Sequence, residues 1–241
     1  MKRIFNYVRQ SKFLFAIILL SPLIFSACKK TTDTNADNTT AGLMAFNLIA
    51  DKASIGFAIS GNNLTPAPLL YTNYTGNYLP IYPGNRNVES YDVTADTSIA
   101  KSTGSFEPNK YYSVFALGNN GHYSNLIVDD NLDTLTSASG NAFVRYINAI
   151  PDSSKPMVTV TSNGTAIISN SAPYASISGF VGVTPGDFTI GVNNETNVSA
   201  TRTITFEKDK AYTVLLVGSP QATDSAKAVQ IKFITNGVLT P

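Results

Sequence analysis

His122 and Cys28 are the only histidine and the only cysteine in 241 residues, and that scarcity bounds the available chemistry. A serine nucleophile works through a neighbouring base, so a Ser-His-Asp site would have to be built on His122 in "GNNGHYSN". No Gly-x-Ser-x-Gly turn accompanies it. A zinc site there would need carboxylates alone to complete it. An exposed loop histidine is the plainer expectation. Two carboxylates held roughly 5–10 Å apart could hydrolyse a glycoside, but the glutamates are few: Glu89, Glu107, Glu195 and Glu207. Glu107 and Glu207 also occupy one position of a repeated phrase, which points to structure. In "VDDNLD", Asp129, Asn131 and Asp133 have the alternating oxygen spacing of a calcium loop. Thr134 stands where such a loop needs glycine, and Gly140 where it needs a bidentate glutamate. An acidic, solvated linker is the expectation there. These residues imply no catalytic centre, metal or cofactor, and a non-enzymatic protein is expected, with a hydrolase the remote alternative.

The aromatic residues offer more. "YTNYTGNYLPIY" carries Tyr71, Tyr74, Tyr78 and Tyr82. Exposed tyrosines present flat, partly polar faces suited to sugars or protein partners. Tyr78 is matched in the later half of the chain by Phe180 and is expected in a core. Tyr71, Tyr74 and Tyr82 have no large apolar counterpart at the repeat offsets. They form the candidate binding surface for a glycan or envelope protein, with plain packing as the competing reading. There is no tryptophan, the residue most expected of a carbohydrate platform. Two short motifs, Asp133-Thr134-Leu135 and Asp224-Ser225-Ala226, resemble the O-glycosylation triplet of exported Bacteroidetes proteins and mark Thr134 and Ser225.

The elements that must position these residues are written twice. "FEPNKYYSVFALG" (106–118) returns as "FEKDKAYTVLLVG" (206–218), "FNLIAD" (46–51) as "INAIPD" (147–152), and "NYLPIYPG" (77–84) as "GFVGVTPG" (179–186). Three collinear matches at offsets near 100 make a tandem repeat of whole domains. Each copy reads as short strands rich in Val, Ile, Thr, Phe and Tyr; in "PMVTVTS", Val158 and Val160 alternate with Met157, Thr159 and Thr161. Asn163-Gly164 suits a type I′ hairpin, and Pro83-Gly84 and Pro185-Gly186 suit type II turns. No segment after residue 28 has helical periodicity. The expectation is all-β: two tandem sandwiches of immunoglobulin-like or transthyretin-like form, at 41–128 and 141–241, joined by a linker at 129–140. Tyr112, Val114 and Ala116, with Tyr212, Val214 and Leu216, should fill the cores, closed by Phe106 and Phe206. Asn109 and Asp209 should sit in tight turns.

The N-terminus supplies an address. Lys2, Arg3, Arg9 and Lys12 precede an apolar run, Phe13 to Phe25, too short to span a bilayer, so 1–27 reads as a signal peptide. Ser26-Ala27-Cys28 resembles a lipoprotein lipobox, with Phe25 in place of the usual leucine. Acylation of Cys28 accounts for a lone cysteine in an exported chain. Removing the leader lowers Lys+Arg from 17 to 13 against 16 Asp+Glu, so net charge moves from +1 to −3. No basic patch remains to attract a nucleic acid. The membrane is met through the lipid anchor, and 28–40 is a polar tether. Lys29 does not resemble an inner-membrane retention signal, which leaves the outer membrane as the expected address.

The pattern Asn148-Ala149-x-Pro151-Asp152, then Pro185-Gly186, then Lys210-x-Tyr212-x-Val214-x-x-x-Gly218 resembles the bacterial domain-of-unknown-function 4397 family. The first copy follows it with Ala50 where the second has Pro151. The resemblance implies exported, often tandem, often lipid-anchored β-sandwich proteins, and it carries over no functional residues. Cys28-Lys29-Lys30 is similar to the mature start of Bacteroidetes lipoproteins.

Overall fold

A computed structural model describes residues 39–135 and 140–239. The leader, Cys28 and nearly all of the tether therefore lie outside the described residues. The described residues belong to one compact unit. The first copy contributes β1 (Ala41–Ile49), β2 (Ser54–Ile59), β3 (Asn62–Asn63), β4 (Leu69–Leu70), β5 (Leu79–Ile81), β6 (Gly84–Asp92), β7 (Thr97–Phe106), β8 (Tyr111–Asn119) and β9 (His122–Asp129). The second contributes β10 (Ala142–Asn148), β11 (Met157–Ser162), β12 (Thr165–Ser171), β13 (Val181–Val183), β14 (Gly186–Asn193), β15 (Ser199–Phe206), β16 (Lys210–Val217) and β17 (Gln230–Val238). The helical content among the described residues is limited to single 3-10 turns at Leu132–Thr134 and Ser225–Lys227.

Each copy is a two-sheet sandwich with the same strand plan. The inner sheets run β5-β1-β8-β9 and β13-β10-β16-β17; the outer sheets run β3-β2-β6-β7 and β12-β11-β14-β15, with β4 paired to β2. No sheet mixes strands of the two copies. The core of the first sandwich holds Leu43, Phe57, Val88, Phe106, Tyr112 and Val114; that of the second holds Val144, Val160, Phe188, Phe206, Tyr212 and Val214. The turn residues behave as their chemistry predicts. Asn109 and Asp209 take φ of 60° and 59°, and Asn163-Gly164 takes 49° and 79°.

The repeated phrase ends in glycine for a packing reason. A Cβ on Gly218, at φ +105°, would sit 2.1 Å from the carbonyl oxygen of Ala228, and one on Gly118 would sit 2.4 Å from that of His122. The Pro-Gly turns join strands of different sheets. β5 lies in an inner sheet and β6 in an outer one, so Pro83-Gly84 carries the chain across the sandwich.

The central pair of each inner sheet is parallel: β1 with β8, and β10 with β16. Parallel strands are stable where both faces are covered, and β1 and β8 are buried almost without alternation. One face fills the copy's own core. The other packs against the partner copy, forming a third core of Met44, Phe46, Leu48, Phe115, Leu117, Ile147, Leu215 and Val217. The two inner sheets are thus layered face to face, and the described residues form a stack of four sheets.

Candidate functional site

The face between the copies is mainly apolar, and at one end a polar cluster is closed in. Arg145 of β10 donates from Nη2 to Asp130 Oδ1 at 2.6 Å and from Nε to Thr213 Oγ1 at 2.9 Å. Ser113 Oγ donates to Asp130 Oδ2 at 2.7 Å, and the Tyr78 hydroxyl donates to the same oxygen at 2.5 Å. Asn236 Nδ2 donates to that hydroxyl at 3.1 Å. The Arg145 guanidinium also stacks on Phe180 at 4.5 Å. Asp130 and Arg145 are 1% and 2% exposed, so Asp130 departs from the solvated linker expected over 128–133, while Asp129, Asn131 and Asp133 are exposed as expected. Asp129 closes β9, and Asp130 turns inward because a cation waits there. Burial pushes the Asp130 carboxyl up, while Arg145, Tyr78 and Ser113 hold it down.

Strand register makes the members of this cluster equivalent in pairs. Leu43 and Val144 sit opposite Tyr112 and Tyr212, so Met44 corresponds to Arg145, and Ser113 to Thr213. Tyr78 corresponds to Phe180, and Asp130 to Asn236 at the ends of β9 and β17. One copy carries the acid and the other the base. Sequence reasoning passed over Arg145, and its signal was a charged residue inside the otherwise apolar "AFVRYINA".

The three candidate tyrosines do not share a surface. Tyr74 stacks on Phe46 at 5.4 Å and lies against the third core. Tyr71 accepts a hydrogen bond from Gly218 N of the other copy at 2.9 Å. Burial raises its pKa. Both have large counterparts after all. Asn47 and Asn148 hold their crossing loops through identical bonds, Asn73 O with Asn47 N and Ser176 O with Asn148 N at 3.0 and 2.9 Å. The bridges Phe46–Tyr74 and Ile147–Ile177 agree, so the local offset is 103 and Tyr71 corresponds to Tyr174. Loops tolerate an extra residue that strands do not, which is why constant offsets misplaced these positions. The Tyr174 hydroxyl is pushed up to about 12 by burial and by the charge of Asp51. Tyr82 alone is open, at 74% exposure.

His122 is exposed at the hairpin joining β8 to β9, opposite Asn119. Asp129, Asn131 and Asp133 do not converge on a point: Asp129 Oδ1 caps Asn131 N, and Asp133 Oδ2 pairs with Lys110. The described residues hold no group of three or more His, Cys, Asp or Glu placed for a metal. Thr134 and Ser225 are both exposed on the two 3-10 turns.

A concavity lies at one end of the first sandwich. It is a groove of about 390 Å³ between the β2–β3 hairpin and β5, floored by Ile59, Leu64, Leu79 and Ile81 and edged by Tyr82 and Arg86.

Residues 38–155 and 142–236 match the family described as Domain of unknown function (DUF4397), and the chain belongs to that family. No curated protein matches it in sequence. Among solved structures it is similar to a candidate cell adhesion protein from Bacteroides eggerthii, at 8% identity and a TM-score of 0.26, over 83% of this chain and 96% of that one. A candidate cell adhesion protein from Parabacteroides distasonis is similar at 8% identity and a TM-score of 0.21, over 83% and 100%. A fimbrilin from Porphyromonas gingivalis is similar at 9% identity and a TM-score of 0.18, over 84% and 99%. Likenesses at such scores carry no argument about this chain.

Proposed function

We propose that this DUF4397 protein is a non-catalytic structural element of the cell envelope, lipid-anchored through Cys28 and carrying its two sandwiches as one rigid body. The observation that supports this reading is the third core. Tandem domains on a free linker keep polar outer faces, whereas here Phe46, Phe115, Ile147 and Leu215 are removed from water only when the copies stay together. The Arg145–Asp130 pair adds orientation, since a buried charge left without its partner is costly. Tyr71 and Tyr74 packed between the copies favour a spacer over an exposed tyrosine platform. Among the described residues no helix is long and apolar enough to cross a membrane, and attachment in this reading falls to the acylated cysteine.

Scanning calorimetry of the full chain tests the rigid body: a single cooperative transition is expected, and two separable transitions would sink it. Incorporation of labelled palmitate in cells, abolished by Cys28→Ser, tests the anchor. Protease treatment of intact against lysed cells then assigns the membrane face; protection until lysis would place the spacer in the periplasm and digestion would place it outside.

A further inference from the structure

The groove on the first sandwich lies where the two copies diverge on β6 and β14. Gly84 pairs with Phe106, and Gly186 pairs with Phe206. Two residues further, Arg86 opposite Gly104 takes the place of Phe188 opposite Ile204. In the second copy both side chains are buried, and the Phe188 ring lies 5.2 Å from that of Phe206, plugging the end of the sandwich. In the first copy the Phe106 ring and Ile127 fill the space over Gly104, and it is at the Arg86 position that no ring stands. Ile59, Leu64, Leu79 and Ile81 instead line an open groove of about 390 Å³, within the usual size of small-ligand clefts.

The replacement is fitted to the site. The Arg86 guanidinium is held by two backbone carbonyls, Nε to Tyr82 O at 3.1 Å and Nη2 to Pro83 O at 2.9 Å. These use one edge of the fork and leave the Nη1/Nη2 edge for a planar anion. Arg86 has no ion-pair partner among the described residues, and no carboxylate lines the groove. Tyr82 stands beside it at 74% exposure, where the second copy has Thr184. Ser60, Asn62 and Asn63 put a hydroxyl and two amides on the rim.

We propose that this groove binds an acidic sugar unit of a polysaccharide, the pyranose stacked on Tyr82 and its carboxylate on Arg86. The rim amides and hydroxyl suit a ligand rich in hydroxyl groups, for which a fatty acid would have no use. An added polypeptide strand fits poorly. β5 is an edge strand with Pro80 at its centre, which has no N–H to offer, and β3 is only two residues long. With the second copy plugged, one site per chain follows. This inference does not depend on the anchor or on the rigid-body reading, so either can fail alone.

Titration calorimetry of the full-length protein with short oligogalacturonates, against neutral oligogalactose of equal length, is the test. The expected result is one site per chain that prefers the acidic oligomer, with affinity reduced at least tenfold by Arg86→Gln and by Tyr82→Thr. Tyr82→Thr should not move the melting temperature by more than a degree or two, because Tyr82 is exposed. Arg86→Gln loses its bonds to Tyr82 O and Pro83 O and should lower it by a few degrees while the protein stays folded at the temperature of the titration. Arg86→Phe, which copies the second sandwich, should abolish binding. No heat from the acidic oligomer, equal affinity for the neutral one, or binding indifferent to the three variants would overturn the proposal. So would Arg86-dependent binding of anionic phosphatidylglycerol vesicles with none to the oligomers, which would reassign the groove to lipid.

Discussion

The two sandwiches share a strand plan yet differ at the face between them and at one free end. They agree at two places where a side chain holds the backbone. Asn47 and Asn148 each accept a bond from the amide two residues on, at 3.1 and 3.0 Å, and each donate to a backbone carbonyl, of Leu69 and Ala172 respectively. The Tyr112 and Tyr212 hydroxyls each cap the amide of the turn glutamate, at 2.9 and 3.1 Å. They differ at the face between them, where Met44 stands for Arg145 and Asn236 for Asp130, and at the free end, where Arg86 stands for Phe188. Positions that hold a fold are thus kept in duplicate, while positions that face a partner have been free to specialise.

The sharpest way to break the comparison is to restore its symmetry. Arg145→Met gives the second copy the first copy's residue and strands Asp130 in the interior, at a cost of about 3–5 kcal/mol. Adding Asp130→Asn, the second copy's residue, should recover most of that loss. Urea unfolding of the two single variants and the double variant reads the coupling, and simple additivity would mean the pair does not act as a unit. Next in size are matched core truncations. Val114→Ala and Val214→Ala should each cost about 1–3 kcal/mol, because both valines are fully buried. If the copies are one rigid body, each should lower the melting point of the whole molecule and not split the transition.

A smaller effect separates the tyrosines. Tyr71→Phe loses the bond from Gly218 and should cost about 1 kcal/mol, whereas Tyr82→Phe should leave stability unchanged. Equal effects would contradict their different placements. The smallest concerns alkaline pH. Tyr71, Tyr78 and Tyr174 have raised pKa values, chiefly through burial. Their unfolded forms ionise first, so the stability they contribute is intact below about pH 10 and falls as pH rises through that value, for Tyr174 up to about 12. Thermal midpoints between pH 9 and 11 should therefore drop, and less steeply in a Tyr71→Phe/Tyr174→Phe double variant.

Much of the fold was legible in the chain itself. The repeated phrase, the period-two alternation of Val158 and Val160, and turn residues such as Asn163-Gly164 are local signals, and local sterics acts on them wherever they occur. The near-continuous burial of β1 and β8 was not read as two-faced, because an apolar run does not say what covers its second face. Only tertiary packing decides that, by laying Phe46 and Phe115 against Ile147 and Leu215. The same holds for the candidate sites. Composition restricted the chemistry, since one histidine and one cysteine leave few catalytic options. Which tyrosine stayed in water, and that Asp130 would find Arg145, depended on residues far apart in sequence brought together by folding. The groove at Arg86 is the clearest instance: an arginine in a strand is unremarkable in sequence, and becomes a site only because the sandwich around it lacks the aromatic ring that its twin retains.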